Sequence, residues 1–167
     1  MDLREFLVEA KKKTYASENA TEEVLPNGTR RLEYAAYNFK YVDEYKGSNP
    51  FIGQELVWQN GVLVWGMNYY GGIYPNLSKP LDPKEIYTFL RSALRMPSEN
   101  LPFRGPKNYK NGSLGYYNEL RGTITAFSGH EKIRFEERHG DLYPYQPLYA
   151  LSYHGGCMEQ DGLIVAN

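Results

Sequence analysis

Two stretches of the chain repeat apolar residues at the three- and four-residue spacing of an amphipathic helix. They read Leu3-x-x-Phe6-Leu7-x-x-Ala10 and Ile86-x-x-Phe89-Leu90-x-x-Ala93. Asp82 before Pro83 predicts the start of the second helix, because aspartate caps free N–H groups and proline fits the first turn. We expect this helix to end before Pro97.

The first helix is predicted to end in the run Lys11-Lys12-Lys13. Positive side chains are favourable at a helix C-terminus. We therefore interpret the lysine run as a solvated helix end rather than as a nucleic-acid contact.

Alternating apolar and polar residues predict strands between the helices. The clearest feature is a hairpin over Leu56–Trp65, because Asn60-Gly61 supplies the two positive-φ positions of a tight turn. Leu32–Tyr45 is predicted to be extended, with a break near Ala35–Asn38. Residues 14–31 lack periodicity and are predicted to form a loop.

The second half of the chain shows a similar pattern. Residues 98–113 are rich in proline, glycine and asparagine, which predicts a loop. A longer connection containing His139-Gly140-Asp141 is expected before the last strand. The three predicted strands are Leu114–Phe127, Glu131–Arg138 and Leu148–His154.

Several segments of the chain occur twice. The matching pairs are Tyr41-Val-Asp43-Glu44-Tyr-Lys46-Gly47 with Tyr116-Tyr-Asn118-Glu119-Leu-Arg121-Gly122, Phe51-Ile-Gly53-Gln-Glu55 with Phe127-Ser-Gly129-His-Glu131, and Met67-Asn-Tyr69-Tyr70-Gly71-Gly72 with Leu151-Ser-Tyr153-His154-Gly155-Gly156. Together with the helices they predict two pseudo-symmetric αβββ repeats, about residues 3–72 and 83–156, inside a single domain of residues 1–167. The predicted fold class is α+β, an antiparallel sheet with two helices packed on one side. The pattern leaves open whether the sheet is open, strongly curved or closed.

The amino-acid composition of the chain limits the classes of function that we expect. The net charge of −1 provides no basic field, so we expect no direct nucleic-acid binding. No run of 18 apolar residues is present, so we expect no membrane partner. Cys157 is the only cysteine, which excludes an intrachain disulfide and fits a cytoplasmic location. Tyrosine is abundant, with 16 residues against 7 Phe and 2 Trp, and suits partly wet sheet faces and binding clefts.

Two glutamates are predicted to point inward. Alternation places Glu131 on one strand face with Ile133 and Phe135, and Glu55 at the matching position shares a face with Val57. An inward carboxylate must find partners or raise its pKa. The two could approach each other and titrate as a coupled pair. Alternatively, each binds backbone N–H groups in a turn beside its own glycine, the interpretation that we favour.

The Tyr-Tyr-Gly-Gly and Tyr-His-Gly-Gly ends also have two interpretations. A glycine pair leaves space for a ligand, to which His154 could donate a proton or a hydrogen bond. We favour a tight turn with the tyrosines packed between sheet and helix. The spacing of the histidines and Glu131 matches no compact metal pattern, so neither a metal nor a cofactor is predicted. The histidines are His130, His139 and His154.

The segment Pro102-Phe103-Arg104-Gly105-Pro106 is expected to hold its arginine in a defined place, because two prolines stiffen it. A fixed guanidinium is a partner for an inward carboxylate or an anionic ligand. Solvent exposure of Arg104 on a loop is the alternative.

Five motifs in this order resemble an uncharacterised prokaryotic domain family: Phe51-Ile-Gly-Gln-Glu55, Val64-Trp-Gly-Met-Asn-Tyr-Tyr-Gly71, Pro102-Phe-Arg-Gly-Pro106, Phe127-x-Gly-x-Glu131 and Leu151-x-Tyr-His-Gly-Gly156. The resemblance extends from about Leu3 to Gly156. Some relatives carry this domain behind an Xre-type helix-turn-helix, which implies a sensory or dimerising module. It also implies that the motif residues form the shared site.

We prefer the hypothesis of a small-molecule-binding or protein-interaction module of the sensor type, with a cleft along the pseudo-twofold axis. The alternative is a hydrolase or isomerase that uses Glu55 and Glu131 as general acid and base. A dimerising domain, with a second copy of the chain as partner, is the third hypothesis. The candidate ligand-binding residues are Glu55, Trp65, Tyr69, Tyr70, Arg104, Glu131, Tyr153 and His154.

Overall fold

The computed structural model describes residues 1–17, 21–74, 81–137, 147–160 and 163–164. Within these ranges the chain forms two helices and eleven strands. In chain order they are α1 (Leu3–Lys13), β1 (Glu23–Val24), β2 (Arg30–Ala36), β3 (Phe39–Gly47), β4 (Phe51–Gln59), β5 (Val62–Ile73), α2 (Pro83–Leu94), β6 (Asn108–Asn111), β7 (Leu114–Thr123), β8 (Ala126–Phe135), β9 (Pro147–Cys157), β10 (Glu159–Gln160) and β11 (Leu163–Ile164).

The first nine strands form one open antiparallel sheet. Their order is β1-β2-β3-β4-β5-β9-β8-β7-β6, so β5 and β9 pair in the middle, and β10 and β11 form a separate hairpin. Each half of the sheet is a meander in which neighbours in sequence are neighbours in space. The α+β class and the antiparallel sheet are thus confirmed, and the sheet is open rather than closed.

Both predicted helices are present, and they pack on the same face of the sheet. Asp2 caps α1 in a capping box, and the side chain of Asp82 accepts the N–H of Lys84 at the start of α2. The ring of Phe6 on α1 stacks on that of Phe39 in β3 with centroids 4.8 Å apart. Both helices contribute to a single hydrophobic core with the strand residues of this face. In the described part of the chain, neither helix is long and apolar enough to cross a membrane.

The strand predictions are correct where the turn signal is local. Asn60 and Gly61 have φ values of 51° and 80° and connect β4 to β5, as predicted. The predicted break in Leu32–Tyr45 is also present, since β2 ends at Ala36 and β3 begins at Phe39.

Other strand boundaries were predicted wrongly. Residues 98–113 are not all loop, because 108–111 form the edge strand β6 through pairing with β7. The loop predicted for 14–31 contains β1 and the start of β2. The turn between β7 and β8 lies at Ile124-Thr125, ahead of Gly129, which is a strand residue. Each helix is therefore followed by at least four strands of the sheet rather than three.

Arg138, the predicted end of the strand that begins at Glu131, and the segment His139–Asp141 of the predicted connection lie outside the described residues.

Candidate functional site

Charged side chains are buried between the helices and the sheet. Lys11, Asp43, Glu55, Arg104 and Glu131 are each at most 5% exposed. Such residues are rarely buried unless they are paired. The three carboxylates lie on the helix-facing side of β3, β4 and β8, so strand alternation carries them into the core.

Glu131 has a complete set of partners. Arg104 donates from Nη2 and Nε to its two carboxylate oxygens at 2.8 and 3.2 Å. The hydroxyls of Tyr116 and Tyr149 donate to the same carboxylate at 2.6 and 2.9 Å. Burial and the adjacent carboxylate raise the pKa of both tyrosines, so their hydroxyls stay protonated and donate. The predicted inward position of Glu131 is present in the structure. Arg104 is buried rather than solvent-exposed, and of the two kinds of partner considered for it, the structure shows an inward carboxylate.

Glu55 has an incomplete set of partners. Its Oε2 pairs with the ammonium of Lys11, whereas Oε1 has no hydrogen-bond partner among the described residues. Burial lowers the pKa of Lys11, and the charge of Glu55 opposes that shift. The hydroxyl of Tyr41, whose position in β3 matches that of Tyr116 in β7, also lacks a partner in the described chain. Among the described residues neither glutamate accepts a hydrogen bond from a backbone N–H group, so the interpretation that we favoured is wrong.

The strand registers around the two glutamates correspond. Asp43 lies opposite Glu55, and Asn118 lies opposite Glu131. The hydroxyl of Tyr69 donates to Asp43 Oδ1 at 2.6 Å. In the same way the hydroxyl of Tyr153 donates to Asn118 at 2.8 Å. The two halves therefore differ at this point by a carboxylate in place of an amide.

The glycine of each Phe-x-Gly-x-Glu motif makes room for one of these tyrosines. A Cβ at Gly53 would overlap the ring of Tyr69, and a Cβ at Gly129 would overlap the ring of Tyr153. The motif thus positions a tyrosine ring flat on the neighbouring strand, two residues from the buried glutamate.

Asp43 is the buried carboxylate without a cationic partner in the described chain. Its hydrogen bond comes from the neutral hydroxyl of Tyr69. Burial, and secondly the charge of Glu55, raise the pKa of Asp43 from 3.8 to about 7. Its protonation therefore changes near neutral pH.

A cavity of about 260 Å³ opens above Asp43. It lies between β2–β5, α2 and the segment that carries Arg104. The buried residues Asp43, Tyr69 and Arg104 and the half-buried Tyr15 contribute polar groups to its lining. Its other walls are mainly aromatic and apolar, and include Tyr45, Phe51, Tyr87, Leu90 and Leu94.

Four polar atoms without a partner in the described chain lie around Lys11, and one of the residues that carry them, Tyr15, also lines the cavity. The Nζ of Lys11 lies 5.4, 5.9 and 5.8 Å from the ring centroids of Tyr15, Tyr41 and Trp65. The polar atom of each of these rings, together with Oε1 of Glu55, has no partner among the described residues. A buried polar atom without a partner costs about 1–3 kcal/mol, so a cluster of four is unusual.

Six of the eight candidate ligand-binding residues share the helix-facing side of the sheet, and two of them, Tyr69 and Arg104, line the cavity. Glu55, Trp65, Tyr69, Arg104, Glu131 and Tyr153 are buried on the helix-facing side of the sheet. Tyr70 and His154 lie on the opposite face and are exposed, because successive strand residues point to opposite sides.

The tight turns that we favoured for the Tyr-Tyr-Gly-Gly and Tyr-His-Gly-Gly ends are wrong. The glycines lie inside β5 and β9, where the two strands pair. A Cβ at Gly71 would overlap the backbone of β9, and one at Gly155 would overlap that of β5. Close approach of two backbones, rather than chain reversal, requires these glycines.

The sequence reasoning missed Lys11 and Asp43. Lys11 follows Leu7 by four residues, so the helical repeat placed it on the apolar stripe, and the interpretation of the lysine run as solvated is wrong for this residue. Lys12 and Lys13 are exposed, as expected. Strand alternation placed Asp43 on one face with Tyr41 and was an available signal.

A metal site is not evident in the described ranges. Nowhere in them do three or more His, Cys, Asp or Glu side chains gather in a group that could hold a metal ion.

Fold and site together define a two-layer α+β domain with a buried ionic network under a partly open cavity. The chain belongs to the family described as "Domain of unknown function (DUF5680)", whose model matches residues 43–158, more than half of its length. The matched segment contains Asp43, Glu55, Arg104 and Glu131. A search of curated proteins and a search of solved structures found no match.

Proposed function

We propose that this domain binds a small molecule in the cavity above Asp43. The observation that carries the proposal is the cluster of unpaired buried atoms beside the cavity, on Tyr15, Tyr41, Glu55 and Trp65. Of these four residues Tyr15 lines the cavity, so a ligand there can supply a hydrogen bond to its hydroxyl, and the apolar body of the ligand packs between the aromatic walls. A protein-interaction role of the sensor type follows if the ligand changes the packing of α2, which forms one wall.

The comparison of the two glutamates supports this proposal. Around Glu131, Arg104 and two tyrosines provide four hydrogen bonds, and that network is complete. Around Glu55 the corresponding network lacks donors. We propose that residues 3–72 and 83–156 are two copies of one ancestral unit, of which the second became structural and the first opened into a binding site.

An enzymatic function is the second candidate, and the pKa of Asp43 is the observation that favours it. A carboxyl group with a pKa of about 7 at a cavity floor suits general acid–base chemistry. The pair predicted from sequence fits less well, because Glu131 is fully engaged. In addition, β4 and β8 are separated by two strands, so their backbones lie roughly 14 Å apart at ordinary strand spacing. The β8 residue in line with Glu55 is Phe127, and Glu131 lies four residues further along the strand, so the two glutamates are more widely separated still. A hydrolase or isomerase would instead use Asp43 and Glu55, which lie opposite each other.

Native mass spectrometry of freshly purified protein, repeated after denaturation, tests binding. We expect an added mass that disappears on unfolding. Arg91→Trp places a large ring at the exposed cavity lining of α2 and should abolish the added mass. Glu85→Trp, also exposed on α2 but outside the cavity lining, is the matched control and should retain it.

Two outcomes would contradict the proposal. One is an added mass that Arg91→Trp retains, because the ligand would then lie elsewhere. The other is a bare mass together with no NMR response of the cavity residues to a fragment library. A bare dimer in the same spectrum would favour the dimerising domain instead.

A further inference from the structure

We infer that the ligand of this cavity is an organic cation, a protonated amine on an aromatic or apolar body, whose ammonium group binds the carboxylate of Asp43. The inference rests on the binding function proposed above and specifies the chemistry of its ligand.

The buried charges of the described chain include one more carboxylate than cations. Lys11 and Arg104 carry two positive charges, whereas Asp43, Glu55 and Glu131 offer three carboxylates. Lys11 pairs with Glu55, and Arg104 pairs with Glu131. Asp43 is left without a cation, and it is also the carboxylate that reaches the cavity. A buried carboxylate is stable in its ionised form only with a positive partner, and one ligand ammonium completes the set.

The walls of the cavity suit a cation that carries an aromatic or apolar body. An ammonium group is attracted to the faces of aromatic rings, and such rings commonly surround bound amines. Leucine side chains of α2 complete an apolar surface for the body of the ligand. The aromatic lining consists of Tyr15, Tyr45, Phe51, Tyr69 and Tyr87.

The cavity lining also contains arginines, whose positive charge would repel a cation if it were neither paired nor screened. Arg104 forms an ion pair with Glu131 through two hydrogen bonds, and its guanidinium lies 5.3 and 5.8 Å from the ring centroids of Tyr15 and Tyr69. Arg30 forms an ion pair with Glu22 at 3.0 Å. Arg91 is exposed on α2, where water and salt screen its charge. Asp43 is therefore the buried charged group of the lining that has no ion-pair partner in the described chain.

Asn118 occupies the position in the second half of the sheet that Asp43 occupies in the first, since each lies opposite a buried glutamate. Asn118 accepts the hydroxyl of Tyr153 and donates to the carbonyl of Gly105 at 3.1 Å. An amide is therefore sufficient at this position, because its oxygen accepts the hydrogen bond of the tyrosine hydroxyl. Asp43 accepts the hydroxyl of Tyr69 in the same way but adds a charge that the fold does not need.

A dependence of binding on pH follows. The groups that act on Asp43 are Lys11 of α1, Glu55 of β4, Tyr69 of β5 and Arg104. In the free protein, burial holds a proton on Asp43 up to a pKa of about 7. A bound ammonium favours the ionised carboxylate, so binding releases this proton and affinity rises with pH. Between pH 6 and pH 8 the ionised fraction of such a group increases roughly tenfold.

Isothermal titration calorimetry on the full chain tests the inference with three small molecules that share a 4-hydroxyphenyl group but differ in charge. They are tyramine, its neutral alcohol tyrosol and the anion 4-hydroxyphenylacetate. We expect tyramine to bind roughly tenfold more tightly than either analogue at pH 8, and to lose that advantage at pH 6. The variant Asp43→Asn has at this position the same residue type as Asn118, its counterpart in the second half of the sheet. Tyramine should bind this variant no better than tyrosol does. Retained tyrosol binding shows that this variant is folded.

Three outcomes would overturn the inference. If tyrosol or 4-hydroxyphenylacetate binds as tightly as tyramine and Arg91→Trp abolishes that binding, the cavity binds ligands but does not select a cation. The same conclusion follows if the mass retained in native spectrometry belongs to a neutral or anionic molecule. If tyramine binds Asp43→Asn as it binds the wild type, the ammonium does not bind this carboxylate.

Discussion

Replacement of Asp43 by asparagine should stabilise the protein at neutral and alkaline pH. The carboxylate is buried and has no cationic partner in the described chain, whereas Asn118 fulfils the same structural role without charge. An amide at position 43 can still accept the hydroxyl of Tyr69. The substitution therefore removes an unfavourable buried charge and keeps the hydrogen bond.

The magnitude follows from the pKa. In the folded protein the pKa of Asp43 is raised from 3.8 to about 7. A raised pKa means that the folded state binds the proton more tightly than the unfolded state does. The corresponding stability is present below pH 4 and is lost as the pH rises through 7. Three pKa units correspond to about 4 kcal/mol. Asp43→Asn should thus be more stable than wild type by about 4 kcal/mol at pH 8 and by about 2 kcal/mol at pH 5.

Urea unfolding followed by tryptophan fluorescence at the two pH values measures this difference. Glu44→Gln, an exposed carboxylate on the same strand, is the matched control and should change stability by less than about 0.5 kcal/mol at both. A variant at position 43 that is less stable than wild type at pH 8 would refute the reasoning, as would a difference that does not depend on pH. Stabilisation together with loss of amine binding would show that the aspartate is kept for function at the expense of stability.

Three further substitutions probe the buried network and the sheet. Arg104→Leu leaves Glu131 as an unpaired buried charge and should lower the free energy of unfolding by about 3–5 kcal/mol in urea titrations. Lys11→Met should do the same to Glu55, and the added change Glu55→Gln should recover much of the loss in a double-mutant cycle. Gly129→Ala should lower stability by about 1–3 kcal/mol and reduce Tm, because its Cβ would overlap the tyrosine ring that covers it.

Exposed neighbours provide the matched controls. Arg121→Leu, Lys12→Met and Ser128→Ala should each change stability by less than about 0.5 kcal/mol. Equal losses in a control and its buried counterpart would contradict the assigned role of the buried residue. Strictly additive effects of Lys11→Met and Glu55→Gln would show that the two side chains do not interact.

Local signals were enough to predict both helices and the clearest hairpin. Asp82 and Pro83 act within one helical turn of each other, and Asn60-Gly61 determines its own chain reversal. Strand alternation also predicted the inward side of Glu131, because side-chain direction changes with every residue. The short strand β6 was missed, since its composition favours a loop and only pairing with β7 makes it a strand.

The site depended on contacts between distant parts of the chain. Lys11 and Glu55 are 44 residues apart, and Arg104 and Glu131 are 27 apart. No periodicity specifies which cation meets which carboxylate. The tertiary structure decided that Tyr70 and His154 lie away from the site and that Asp43 lies within it.

The sequence by itself determined the secondary structure signals, the inward glutamates and the family, because each is encoded in neighbouring residues or in a short motif. Only the tertiary structure decided that the network around Glu131 is complete while that around Glu55 is not. That difference arises from the packing of α1, α2 and the Arg104 segment over the sheet. Burial in this packing also sets the pKa of Asp43, since desolvation depends on everything that surrounds a group and not on its neighbours in sequence.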